Sequence, residues 1–188
     1  MNSTVRTHFD AHQQVVQDGL NAVREPAEQV VDVLIESLKN CGKVLAFGNG
    51  GSAAQASHLA AELMGRFHHT REPLPAISLS ANADVGTCIG NDFGYDALFE
   101  RQIQALAEPE DVAVGFTTSG QSVNVLRGLA EAQNQEAIAV ALTGASGLAN
   151  GAAEYRLAVP SETTAHIQEV HLMIVHAWCA ALDAEFAR

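Results

Sequence analysis

Apolar positions change their spacing along the chain, and the changes mark the elements. Through the first forty residues they recur every three or four, with Val5, Phe9, His12 and Val16 on one stripe and Val30, Val31, Leu34, Ile35 and Leu38 on another. That period predicts helices. Pro26 stands where a second helix would open, because its fixed φ suits a first helical turn. From Lys43 the pattern turns short and continuous. The runs 43–47, 76–79, 112–116, 137–142 and 155–159 each read as a strand buried on both faces. Helical patterns lie between them at about 53–67 and to about Gln133, and a last one runs from about Thr164 to Phe186. Strands alternating with helices predict an α/β protein whose parallel sheet is covered on both sides.

In such sheets a ligand sits outside the carboxyl ends of the strands. Two of the runs end there in loops of unusual composition, Gly48-Asn-Gly-Gly-Ser52 and Thr117-Thr-Ser-Gly-Gln-Ser122. The first is neither GxGxxG nor a Walker A loop, so it does not specify a dinucleotide. Glycine amides and hydroxyls at helix N-termini form a phosphate seat that needs no cation. The same residues also suit capped tight turns. Two such loops at the ends of one sheet favour anion binding.

A second pattern lies in the helices. His58 and Glu62 are four apart, and Gln168 and His176 eight apart, so each pair shares a helix face. Imidazole and carboxylate on facing helices suit zinc and equally suit a general acid and base. Gln is an uncommon zinc ligand. The spacing of His58 and Glu62 also fits an ordinary surface pair, and His176 in an apolar run also fits a core histidine. His68 and His69 read as exposed loop residues, and Asn91-Asp92 before Phe93-Gly94 reads as a turn.

Composition narrows the field. The chain has 188 residues, the size of one domain. It divides into a helical extension over 1–41 and an α/β core over 42–188. A net charge of −12 argues against nucleic acid and acidic membranes as partners, but not against a phosphate held by amides. Cys41, Cys88 and Cys179 form no CxxC and imply neither a disulfide framework nor a thiolate zinc site. The N-terminus has no apolar signal core and no run spans a bilayer, so the expectation is a soluble cytoplasmic protein.

The strings GNGGSAAQASHLAAELMGRF, GNDFGYDALFERQ, TTSGQSVNVL and IQEVHLMIVH, in that order and spacing, resemble the SIS (sugar isomerase) domain family. The resemblance runs from about Ala27 to Leu182. It implies a flavodoxin-like three-layer α/β sandwich with a five-stranded parallel sheet, assembled as a homotetramer. It implies an aldose–ketose isomerase interconverting sedoheptulose 7-phosphate and D-glycero-D-manno-heptose 7-phosphate, for the nucleotide-activated heptose of cell-envelope glycans. It implies one zinc per subunit on His58, Glu62, Gln168 and His176, with Glu62 and His176 catalytic. Substrate-contacting positions fall on Asn49, Gly50, Gly51, Ser52, Asn91, Asp92, Thr117, Thr118, Ser119, Ser122 and Gln168. The chain departs from the usual pattern at Thr117, Gln121 and His166, and over 143–154 it looks shorter. The competing class is a non-catalytic SIS tetramer that binds a replication initiator protein or senses a sugar phosphate. Relatives of the initiator-binding type are degraded at the positions matching Glu62 and His176, which this chain retains.

Overall fold

The computed structural model describes residues 3–187. Helix α1 (Ser3–Lys39) leads into strand β1 (Val44–Gly48), then α2 (Gly51–Met64) and β2 (Ala76–Ser78). Two helices follow, α3 (Ala83–Phe93) and α4 (Leu98–Leu106), and then β3 (Val112–Thr117) and α5 (Val123–Asn134). β4 (Ile138–Thr143), β5 (Tyr155–Ala158) and α6 (Thr164–Phe186) complete the order.

The five strands pair in parallel in the order β2-β1-β3-β4-β5. Successive side chains of a strand point to opposite faces, and the sequence supplies apolar residues for both. Val44 and Ala46 of β1 enter one core with Val112, Val114 and Phe116, covered by Leu34 of α1, Leu59 of α2 and Trp178 of α6. Leu45 and Phe47 enter the other, with Ile89 of α3, Phe99 of α4 and Leu129 of α5. The sandwich is therefore three-layered. After β1 the chain moves to one side of the sheet, and after β3 to the other. The crevice between the carboxyl ends of β1 and β3 is the switch point of the sheet.

Two expectations are corrected. Pro26 does not start a second helix but lies inside the single helix α1. Gly19 and Val23 before it, and Val30 and Leu34 after it, are all buried, so packing on both sides of the proline carries the helix through. Asn91 and Asp92 do not form a turn. They lie in α3, which the sequence concealed because two glycines interrupt it and only Ile89 is buried. Asn82 starts that helix by accepting from the amides of Asp84 and Val85, both at 3.1 Å.

Candidate active site

The loop after β1 is held by side chains from three other segments. Asn49 and Asn124 exchange amide hydrogen bonds, both at 2.9 Å. The Tyr95 hydroxyl donates to Asn49 Oδ1 at 2.7 Å. Ser80 Oγ donates to the Gly48 carbonyl at 2.9 Å and accepts from the Gly48 amide at 3.2 Å. Neither Gly50, ahead of α2, nor Ser122, ahead of α5, caps its helix with a side chain. The first-turn amides of both helices are therefore not taken by a capping side chain.

One loop glycine is dictated by space, and a second reports a close neighbour. Gly120 has φ +64°, and a Cβ there would stand 1.7 Å from the Gly147 carbonyl oxygen. A Cβ on Gly51 would stand 2.6 Å from Gln168 Nε2. Gln168 of α6 therefore lies directly against the start of α2. Beside the second loop, Thr118, Ser119, Ser146, Ser161, Glu162 and Thr164 line a pocket of about 330 Å³. It holds no Lys or Arg. Thr117 Oγ1 donates to Ser122 Oγ at 3.2 Å, and the Gln121 amide donates to Ser119 Oγ at 3.2 Å.

The helix faces meet. His58 Nε2 of α2 is 3.0 Å from His176 Nε2 of α6 and 3.5 Å from Glu62 Oε1. The Phe67 ring stacks on His176 at 5.5 Å between centroids, with the planes 28° apart. Ligand atoms around a tetrahedral zinc stand roughly 3.3 Å apart, given Zn–N bonds of about 2.0–2.1 Å. The two separations from His58, to His176 and to Glu62, bracket that spacing. Gln168 lies two turns earlier on α6, at Gly51.

Behind this cluster Arg71 and Asp183 form a buried ion pair. Arg71 also donates to the Glu62 carbonyl at 2.9 Å and the Leu63 carbonyl at 2.8 Å, holding the last turn of α2. Burial raises the Cys179 thiol to about 12, with the Glu62 charge adding to it, so this neighbour stays a neutral thiol. His171 is buried and neutral as well. Burial lowers it to about 4 against its hydrogen bond with the Thr143 carbonyl at 3.1 Å.

Other residues fall differently. Asn91 and Asp92 are exposed on the last turn of α3 and bond to each other at 2.7 Å. Tyr95, three residues beyond them, bonds to Asn49 and ties that end of α3 to the first loop. His68 and His69 are exposed, yet their backbone amides donate to Asp183 Oδ2 at 2.6 and 2.7 Å. Sequence reasoning missed Asn124, Tyr95, Ser80, Ser146, Ser161 and Thr164. Each is a lone polar residue whose role appears only once separate loops are brought together. Elsewhere, His8, His166 and Glu169 place metal-capable atoms within 4.8 Å of one another.

A five-stranded parallel sheet with glycine- and hydroxyl-rich loops at its switch point defines a three-layer α/β sandwich protein. The SIS domain family matches residues 7–144, and the chain belongs to that family. It is 41% identical to the phosphoheptose isomerase of Bordetella avium over 98% of this chain and 95% of that one. It is 48% identical to the phosphoheptose isomerase of Aquifex aeolicus over 84% of each. A solved phosphoheptose isomerase from Francisella tularensis superposes with a TM-score of 0.92 at 36% identity, covering 98% of this chain and 100% of that one.

Proposed function

We propose that the chain is an aldose–ketose isomerase converting sedoheptulose 7-phosphate to D-glycero-D-manno-heptose 7-phosphate, for nucleotide-heptose synthesis. The observation that carries the reading is the approach of His58 to both His176 and Glu62, on a helix that begins at the first glycine loop. The names of the full-length relatives support the same substrate class.

The phosphate is received by amides and hydroxyls of loops 48–52 and 117–122, with Gln168 over the start of α2 orienting the sugar. Glu62 takes the proton from C1 of the ketose while His176 protonates the C2 oxygen, which gives an enediol. His176 then takes the proton from the C1 oxygen and Glu62 delivers one to C2, which gives the aldose. Zinc held by His58, Glu62, Gln168 and His176 would supply Lewis-acid polarisation of the carbonyl. Among the described residues no helix is long and apolar enough to cross a membrane.

The reading takes 1–188 as one SIS domain acting as a homotetramer. Two features support assembly. Val5 and Phe9 of α1 are exposed. A largely apolar groove of about 480 Å³ between α1 and α6 is lined by Leu20, Val31, Met173 and Trp178, among others. The purified chain with sedoheptulose 7-phosphate is the test. Appearance of the aldose phosphate supports the reading, and binding without turnover returns the protein to the sensor class.

A further inference from the structure

Outside the active site, one group of side chains has no part in the account so far. His8 and His12 stand one turn apart on α1, and His166 and Glu169 one turn apart on α6. The packing of the two helices brings all four together. His8 Nε2 is 3.5 Å from Glu169 Oε1, and His12 Nδ1 is 2.8 Å from Glu169 Oε2. The His166 ring lies 4.8 Å from that of His8 and 5.6 Å from that of His12, centroid to centroid. One nitrogen of His8, one of His166 and an oxygen of Glu169 all lie within 4.8 Å of one another.

His166 is 6% exposed, and its Nε2 is out of reach of solvent with no hydrogen-bond partner. A self-contained hydrogen-bonded network would satisfy that nitrogen, since a buried unpaired polar atom is costly. A cation would satisfy it. Glu169 presents its two oxygens to two different imidazoles, and its Oε2 and His12 Nδ1 approach to 2.8 Å without completing a hydrogen bond, so one oxygen can bind a metal while the other faces His12. That is the carboxylate–histidine arrangement that orients a ligand. His8 lies on the solvent side, with its side chain 42% exposed, and leaves an entry path. Bond lengths of about 2.0–2.2 Å require the three donors to close in by about 1 Å, within the reach of a side-chain rotation by exposed His8.

We infer that His8, His166 and Glu169 form a second metal site that takes a divalent ion of the zinc type, with His12 positioning Glu169. Two imidazoles and one carboxylate select late first-row ions over calcium or magnesium. Water completes the shell. The ion joins α1 to α6 through residues that are not His58, Glu62 or His176, although His166 and Glu169 flank Gln168 in sequence, and its role is to fasten the N-terminal helix.

The test titrates metal-stripped full-length protein with Zn²⁺ by calorimetry and counts the bound ion by elemental analysis. Wild type, His58→Ala, His8→Asn and His12→Asn are compared, with circular dichroism as the check on folding. The expected result is an equivalent that survives in His58→Ala and disappears in His8→Asn. His12→Asn should keep that equivalent but bind it roughly 10-fold or more weakly. If His8→Asn binds as much zinc as wild type, or if His58→Ala binds none, the proposal is overturned. Should His8→Asn lose its helical signal, Glu169→Gln serves as the second variant with the same expectations. Turnover of sedoheptulose 7-phosphate, measured separately on His8→Asn, should equal that of wild type. The fate of this site is thereby independent of the isomerase reading.

Discussion

Arg71 Nε donates to Asp183 Oδ1 at 2.8 Å with both side chains all but removed from solvent. The pair joins the loop after α2 to the last turns of α6, the two elements that carry Glu62 and His176. Arg71 reaches the Glu62 carbonyl, and Asp183 takes the amides of His68 and His69. The relative placement of the two proposed proton-transfer groups is fastened by an ion pair that never touches substrate.

Breaking this pair from one side should be severe, because it leaves the other charge buried and uncompensated. Asp183→Ala is expected to cost about 3–5 kcal/mol of stability. Thermal or denaturant unfolding reads the loss.

The same carboxylate sets an acid limit. Burial alone would raise the Asp183 carboxyl. The amides of His69 and His68 and the Arg71 guanidinium outweigh that and hold it below its ordinary value. In the unfolded chain it titrates near about 3.9. The folded form thus resists a proton that the unfolded form accepts. Its contribution is complete above the unfolded value and fades as pH falls through the folded one. Unfolding followed from pH 6 to pH 2, on roughly that scale, should show a steeper acid loss in wild type than in Asp183→Asn.

Gly51→Ala tests the contact between the first loop and α6. The added methyl first meets the amide end of Gln168, a side chain able to move. Stability should change by under about 1 kcal/mol. KM for the sugar phosphate should rise, because Gln168 is pushed off the seat. An unchanged KM would remove Gln168 from the binding site.

Thiol labelling tests the environment behind the cluster. Cys41 and Cys88 are exposed and Cys179 is buried. With its thiol raised to about 12, Cys179 is un-ionised at neutral pH. Native protein should take up alkylating reagent at Cys41 and Cys88, with Cys179 protected until the chain is denatured. Peptide mapping by mass spectrometry decides it.

How far the sequence could be read depended on whether a residue's role is local or assembled. The five strands were legible because each is a continuous apolar run, and α6 because its pattern is long. The pairing of His58 with Glu62 was legible because helix geometry alone fixes it. The meeting of His58 with His176 was only an expectation, since it depends on how α2 packs on α6. Helix α3 was hidden by Gly86 and Gly90, and Pro26 misled because local propensity yielded to packing on either side of it. Asn124 and Tyr95 gave no signal, as a lone Asn and a lone Tyr have none until the 48–52 loop is brought to them. The grouping of His8 with His166 was invisible for the same reason, its members coming from opposite ends of the chain.

The central claim is that Glu62 moves the carbon proton, and Glu62→Gln reads it most directly. The substitution keeps the shape of the side chain and removes its basicity. The measurement is kcat for sedoheptulose 7-phosphate in the purified variant, with folding checked by circular dichroism. A base of this kind contributes about 10²–10⁴-fold in rate. The account predicts a loss at least that large in a folded protein. Turnover at the wild-type rate in Glu62→Gln would contradict it.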